Sequence, residues 1–252
     1  MIRVGAVGDV HMAEDNRGRL RPALDRIAEH ADVLLLAGDL TKHGTLDEAR
    51  VVADEFADLA VPVIAVLGNH DHHGDVPGRI AALLAERGIQ VLDGESVVVP
   101  VNGRRLGVAG VKGFGGGFAG RCASAFGEPE MKAFVHRTTE AADRLRTALA
   151  ELTPERADVT VALTHYSPVA DTLRGEPPEI YPFLGAYQLA EAIDATGTDL
   201  ALHGHAHFGC ERGVTPGGVR VRNVAQPVID AAYRVYRVEP DRAPADRIRS
   251  NS

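Results

Sequence analysis

The sequence predicts an α/β fold in which two sheets share one core, and three observations predict it. Over the first ninety residues, apolar runs ending in Gly-Asp or Gly-Asn alternate with amphipathic helical segments. Past Ile89 the pattern changes to a hairpin with an Asn-Gly turn, and two further buried-strand runs follow at 159–163 and 199–202. Strand, helix, strand, helix, strand is the signature of a parallel sheet joined by right-handed crossovers. At 252 residues the chain buries enough apolar surface to need no staples.

Taken in order, Ile2 to Val7 is a short run of β-branched and small residues that stops at Gly8-Asp9, as a strand buried on both faces would. Leu20, Leu24 and Ile27 then stand at near-helical spacing, with Pro22 close enough to the start to be tolerated. Val33 to Ala37 repeats the strand pattern and ends in Gly38-Asp39. Leu46, Ala49, Val52, Ala53 and Phe56 mark the next helix, with Thr45 as its cap. A third strand at 62–67 runs into Gly68-Asn69-His70-Asp71, and a helix after Pro77 carries Ile80, Leu83 and Leu84 as far as Gly88.

In the second half, residues 97–101 and 106–109 flank Asn102-Gly103 as a hairpin. Residues 113–121 are too glycine-rich for regular structure. A long amphipathic helix follows Pro129, with Phe134, Leu145, Leu149 and Leu152 among its apolar positions, and the strand at 159–163 ends in Thr164-His165. The proline-bearing span 166–184 reads as a loop, and loops of that length usually have a function. A short helix at 188–195 and a strand at 199–202 lead into His203-Gly204-His205-Ala206-His207, and short strands follow at 219–224 and 233–238. No linker divides residues 1–238, which read as one domain. The tail, 239–252, is polar and Pro/Arg-rich and is expected to fray.

Bulk properties narrow the function. A formal charge of −8 argues against nucleic acid or an acidic membrane held by bulk electrostatics. The two cysteines, Cys122 and Cys210, have no C-x-x-C spacing, which excludes a disulfide framework and argues against a thiolate zinc site; each reads as an inert buried thiol. The N-terminus enters a strand directly, with no basic flank or apolar signal segment, and no apolar run approaches the roughly 20 residues of a membrane span. A cytoplasmic protein without a membrane partner is expected, and a homodimer is among the assemblies the sequence allows.

Four of the eleven histidines fall in 165 and 203–207, and His11 and His70 also sit just past apolar runs. Five strand ends thus carry Asp9-Val10-His11, Asp39, Asn69-His70-Asp71, His165 and His205-Ala206-His207. Ligands of open α/β sheets bind outside the carboxyl ends of strands, where all of these would gather. Carboxylates, imidazoles and one amide oxygen without thiolates suit Mn, Fe, Zn or Co. One metal takes about four to six donors; Asp9, His11, Asp39, Asn69, His165, His205 and His207 outnumber that, which suggests two ions with a shared carboxylate. Singly, Asp9 and Asp39 would be helix caps and His11 or His165 packed histidines. Capping does not explain the histidines, however, and packing does not explain Asn69.

In this order, D-x-H, G-D, G-N-H-D, a lone H and G-H-x-H, the motifs resemble the calcineurin-like metallophosphoesterases, over Asp9 to His207 and with no departure at a ligand position. Five blocks in order make the likeness specific; any one alone would be weak. The resemblance implies a four-layer α/β/β/α sandwich of two mixed sheets flanked by helices, with a dinuclear site at the strand ends and two divalent or trivalent ions per chain. Asp9, His11, Asp39 and His207 would hold one ion, and Asp39 would bridge to a second completed by Asn69, His165 and His205. His70 would face the substrate as general acid, with Asp71 orienting its ring.

The chemistry agrees with that assignment. Two divalent ions beside the carboxylates of Asp9 and Asp39 leave a positive core that attracts phosphate despite the acidic protein around it. Coordination lowers the pKa of water towards about 7, so a hydroxide bridging the ions would be the nucleophile, and ions ~3.5–4 Å apart can clamp phosphoryl oxygens. The expected substrate is a small phosphomonoester or phosphodiester, cyclic nucleotides included. The alternative is a non-catalytic metal-binding scaffold of the same fold, in which lost ligands would be expected. Among the neighbours, His203 reads as packing or support, His72-His73 as pocket or solvated loop, and His43 as a candidate phosphate contact. Arg121, Arg174, Tyr166 and Tyr181 are candidates for substrate contact.

Overall fold

The computed structural model describes residues 1–239, so beyond Glu239 the tail expected to fray lies outside the described residues. The chain runs β1 (Ile2–Val7), α1 (Arg21–Leu24), α2 (Ile27–His30), β2 (Val33–Ala37), α3 (Leu46–Phe56), β3 (Val63–Val66), α4 (Pro77–Glu86) and β4 (Ile89–Val91). The hairpin β5 (Glu95–Val101) and β6 (Arg104–Val111) follows, then the small pair β7 (Gly117–Phe118) and β8 (Arg121–Cys122), α5 (Pro129–Ala150) and β9 (Val159–Thr164). Last come α6 (Tyr181–Leu184), α7 (Tyr187–Asp194), β10 (Leu200–His203), β11 (Arg212–Val214), β12 (Arg220–Asn223), α8 (Gln226–Ile229) and β13 (Arg234–Val238).

The first sheet has the order β13-β1-β2-β3-β4, parallel except for β13, which returns antiparallel along β1. The second has the order β11-β12-β10-β9-β6-β5, with antiparallel strands at both edges and parallel ones between. Burial explains the layering. β2 reads Val-Leu-Leu-Leu-Ala and is buried throughout, as a strand covered on both faces must be. Its Leu34 and Leu36 pack with Leu24, Ile27, Val52, Phe56, Ile80 and Leu84 of the helices outside the first sheet. Its Val33, Leu35 and Ala37 turn the other way, into a core shared with Leu106, Val108, Val161, Leu163 and Leu202 of the second sheet. Leu145, Leu149, Leu189 and Ile193 from α5 and α7 cover that sheet's far face. The result is the expected four-layer α/β/β/α sandwich of two mixed sheets.

Local chemistry fixes the elements. Thr45 caps α3 in a capping box with Glu48, its hydroxyl accepting from Glu48 N at 3.2 Å. Asn102 (φ 48°) and Gly103 (φ 75°) supply the two left-handed residues of the hairpin turn between β5 and β6. The helix expected around Leu20, Leu24 and Ile27 is instead two single turns, α1 and α2. Their start is set from outside the segment, because the buried Glu55 of α3 accepts N–H groups from Gly18 (2.7 Å), Leu20 (2.5 Å) and Arg21 (2.9 Å). Within the glycine-rich segment, β7 and β8 form a short ladder, and the 166–184 span carries helical turns at Ala170–Leu173 and Pro178–Ile180 as well as α6. The cysteines are not buried: Cys122 is exposed, and the partly exposed Cys210 thiol donates to Asp171 O at 3.1 Å. Among the described residues no helix is long and apolar enough to cross a membrane.

Leu35 is fully buried between the sheets, where a truncation leaves a cavity that neither sheet can close by moving alone. Leu35→Ala is expected to cost about 2–5 kcal/mol in urea unfolding at an unchanged m-value; a loss below about 1 kcal/mol would contradict a shared inter-sheet core.

Candidate metal centre

The carboxyl ends of β1, β2 and β3 in one sheet and of β9 and β10 in the other open at the same edge of the sandwich. Each predicted donor lies just beyond one of them: Asp9 and His11, Asp39, Asn69, His165, and His205 with His207. The chain must turn sharply there to point side chains back over the strand ends. Asp9 (φ 56°), His11 (43°), Asp39 (50°) and His205 (71°) accordingly adopt the left-handed region, which costs a non-glycine residue about 1–2 kcal/mol. Interlocking hydrogen bonds hold the turns. Asp9 N donates to Gly38 O (2.9 Å), His11 N to Asp39 O (3.1 Å) and Met12 N to Leu40 O (2.8 Å). Across the sheets, His205 N donates to the Asp9 carboxylate at 3.0 and 2.9 Å.

The donors form two groups with one member in common. Ligand atoms of Asp9, His11, Asp39 and His207 lie within 4.8 Å of one another, as do those of Asp39, His165 and His205. Asn69 joins the second group, its Oδ1 2.9 Å from His165 Nε2. All seven predicted donors are therefore brought together, with Asp39 common to both groups, and each group could hold a metal ion.

Several details fit cations in these positions. His11 Nε2 and Gln188 Oε1 are the buried side-chain polar atoms without a hydrogen-bond partner among the described residues, and the first of them points into the donor cluster. Such atoms are rare unless something else satisfies them. His165 Nδ1 lies 2.9 Å from Ala37 O and His205 Nε2 lies 3.1 Å from Phe183 O. A carbonyl only accepts, so His205 carries its proton on Nε2 and leaves a lone pair on Nδ1. His165 faces acceptors on both sides, Ala37 O and Asn69 Oδ1, a conflict that a cation shared by Nε2 and Oδ1 would remove. Glycines make the cradle. A Cβ at Gly38 would stand 2.6 Å from the His165 ring, and one at Gly68 or Gly204 would collide with the carboxylate of Asp39 or Asp9.

Burial dominates the electrostatics. It lifts the Asp9 carboxyl to about 6, with the hydrogen bond from His207 opposing and the nearby Asp39 adding to the rise. It pulls His11 down to about 4 and His205 to about 3, and holds His165 well below the usual imidazole range. His207 moves up, chiefly through its 2.8 Å hydrogen bond to Asp9. At neutral pH, His11, His165 and His205 thus offer neutral imidazoles to two crowded carboxylates, a donor set suited to divalent cations.

His70 sits at the rim, its Nε2 4.0 Å from Asp39 Oδ2 and its ring 4.5 Å from that of His11. One predicted contact is not found: Asp71 does not orient this ring. Its carboxylate, fully buried, instead accepts from Leu40 N (3.2 Å), Thr41 N (2.8 Å), Thr41 Oγ1 (2.6 Å) and Gly68 N (2.7 Å), tying the loop after β2 to the loop after β3. Burial and Asp39 lift its pKa to about 6 even so. The His70 ring is oriented by a main-chain group, with Nδ1 2.8 Å from Lys42 O. No sequence pattern marks a carbonyl for this role, and the same holds for Ala37 O and Phe183 O.

Of the neighbours, His203 is fully buried with Nε2 2.8 Å from Thr172 Oγ1, a packed support. His43 is held 2.8 Å from Glu48 Oε1. Tyr166 packs against His205 with ring centroids 4.4 Å apart and the planes tilted by 48°. Tyr181 donates to Leu173 O, Arg121 lies over the Tyr181 ring, and Arg174 donates to Asp171 O. Arg121 also lines a groove of about 570 Å³ with Met131, Phe134 and Phe183, beside the Phe183 carbonyl that meets His205.

A two-sheet sandwich with these motifs at its strand ends defines a class, and the sequence comparison agrees: residues 2–209 match the calcineurin-like phosphoesterase family, to which the chain belongs. No curated protein matches it in sequence. The fold is similar to that of a phosphopantetheinyl hydrolase from Mycobacterium tuberculosis, at 16% identity, TM-score 0.65, covering 96% of this chain and 98% of that one. It is also similar to an anchor protein of the inner membrane complex of Plasmodium (11%, TM-score 0.55, 90% and 72% covered). A third likeness is to the NAD nucleotidase of Haemophilus influenzae (12%, TM-score 0.52), of which this chain spans 49% while 94% of its own length is covered.

Metal affinity should report the Asp9 proton. A carboxyl raised to about 6 must lose that proton before a cation can bind, whereas His11 and His205, pulled to about 4 and 3, compete only in stronger acid. Calorimetric Mn²⁺ affinity is expected to fall steadily from about pH 8 to about pH 5, because His207, raised above the usual imidazole value by its hydrogen bond to Asp9, must lose its proton as well. A constant affinity from pH 7 to pH 5 would contradict this donor set.

Proposed function

We propose that the protein hydrolyses a small phosphate ester, a monoester or a diester with cyclic nucleotides included, at a centre of two metal ions. One ion is held by Asp9, His11, Asp39 and His207, the other by Asp39, Asn69, His165 and His205. The observation that carries this reading is the sharing of Asp39 by two donor groups beside a rim histidine whose free nitrogen faces that carboxylate. When bound, such ions lower the pKa of water towards about 7 and neutralise phosphoryl oxygens.

The chain's own residues do the rest. Lys42 O accepts a hydrogen bond from His70 Nδ1, which fixes the ring and leaves Nε2 at the rim as the atom that carries the transferable proton. From there it passes to the leaving alkoxide, a transfer typically worth 10²–10⁴-fold. Asp71 acts at one remove, keeping the loops that carry Asp39, Lys42 and His70 in register through its four hydrogen bonds. Two of the fold's relatives are named as hydrolytic enzymes and one as an anchor. Retention of all seven donors supports the hydrolytic reading over a scaffold.

The test is turnover of p-nitrophenyl phosphate and its bis ester with Mn, Fe, Zn or Co. His70→Ala is expected to lower kcat by about 10²–10⁴-fold with metal content unchanged, and Asp39→Asn to abolish turnover and reduce bound metal. Absence of turnover with all four metals, a loss under about tenfold in His70→Ala, or one ion per chain at saturation would each overturn the proposal.

A further inference from the structure

The strand ends deliver one more charged group that the proposed chemistry does not use. Lys112 follows β6, which runs parallel to β9, so it emerges at the same edge as the donors. Its carbonyl accepts N–H from His165 (3.0 Å) and Tyr166 (3.1 Å), which fixes its main chain against one of the candidate ligands. Its ammonium lies 5.3 Å from the Phe114 ring centroid and 5.4 Å from that of Tyr166. The Tyr166 ring in turn packs at a tilt on His205 at 4.4 Å and meets His165 edge-on at 5.5 Å. A single tyrosine ring therefore separates Lys112 Nζ from the donor cluster.

The side chain is mostly buried, yet among the described residues no carboxylate lies within ion-pair distance of Nζ. The acidic groups that act on it from further away are Asp39, inside the donor cluster, and Asp93, which is engaged 3.2 Å from Arg144 Nη2. Also near it are Arg137 on α5, whose Nη1 lies 3.0 Å from Glu140 Oε2, and the half-buried His72, two residues beyond His70, which burial first and then Lys112 keep neutral as an N–H donor. Burial first, then Arg137, holds the Lys112 pKa below the usual lysine value. Contacts with two rings return about 0.5–2 kcal/mol each, but an apolar side chain would pack on those rings without desolvating an ammonium. A partly dehydrated cation with free N–H donors, backed by aromatic faces and without a counter-ion, is a ready receptor for an anionic oxygen.

We propose that Lys112, with His72 and Arg137 beside it, forms a subsite for a second phosphate, so that the favoured substrate carries a phosphate group in addition to the ester that is cleaved. This rests on the phosphoesterase reading for the cleaved ester and deepens it by naming the substrate class. The Tyr166 ring lies between the two anion sites and, with Phe114 beside it, offers an apolar surface that fits an uncharged spacer joining the two phosphates.

Alkane-α,ω-diol bisphosphates of two to six carbons and the matching monophosphates serve as probes, titrated as competitors of p-nitrophenyl phosphate on the Mn²⁺-loaded protein. At the best-fitting length the bisphosphate is expected to bind about 10–100-fold more tightly than the monophosphate, the worth of one charge-assisted hydrogen-bond set. Lys112→Met should collapse that ratio to under about 3-fold, and Lys112→Arg should restore most of it. A structural role alone would lower all affinities together and leave the ratio intact. No bisphosphate preference at any length, or a ratio unchanged in Lys112→Met, overturns the inference. If p-nitrophenyl phosphate is not turned over, the phosphoesterase reading fails separately. Calorimetric binding of the same pairs to the Mn²⁺-loaded wild type and Lys112→Met then decides the subsite by the same ratio.

Discussion

Two carboxylates, Asp9 and Asp39, lie 3% and 1% exposed at one edge of the sandwich, and the structure around them answers to the cost of placing them there. Buried charges of like sign persist only when hydrogen bonds and a counter-charge compensate them. The hydrogen bonds are present: His205 N and His207 reach Asp9, and His70 N reaches Asp39 at 2.8 Å. The glycines at 38, 68 and 204 bring backbone close enough to make them, and four donor residues accept left-handed backbone in the process. Three neutral imidazoles surround the pair without neutralising it. The whole arrangement is a receptor for positive charge built by two sheets in common.

Much of this was legible in the sequence because strand-end placement leaves a strong trace. The first three buried runs stop at glycine followed by a polar donor, and two later runs lead into histidine, so the donors and their shared edge could be read from order alone. The layers were legible for the same reason, since β2 is apolar at every position and must be covered on both faces. What escaped the reading is carried by groups without a side-chain signature. β4 and β11 have three residues each, too few to show a period. The split of the first helix is imposed by Glu55, distant in sequence from the turn whose N–H groups it accepts. The exposure of Cys122 follows from its place on the short β8 ladder, which glycine content alone concealed.

The displaced role of Asp71 shows how adjacency in a motif can mislead. Next to His70 in sequence, its side chain points the other way, because the short helical turn at His70–His72 sends consecutive residues to different faces. Its carboxylate spends itself on main-chain N–H groups, while a lysine carbonyl from the neighbouring loop sets the histidine. Both contacts tie the loop after β2 to the loop after β3, so the rim and the donor cluster are held as one unit.

Asp9, Asp39 and Asn69 follow strands of one sheet and His165, His205 and His207 strands of the other, while the core between the sheets is apolar and hydrogen bonds such as Gly8 N to Val224 O join them near this edge. A cation seated among these donors is therefore a rivet through two plates. Its binding free energy is added to the resistance of the whole fold to opening, in proportion to the logarithm of its concentration. A chain that binds a cation there would resist proteolysis in step with the supply of metal around it.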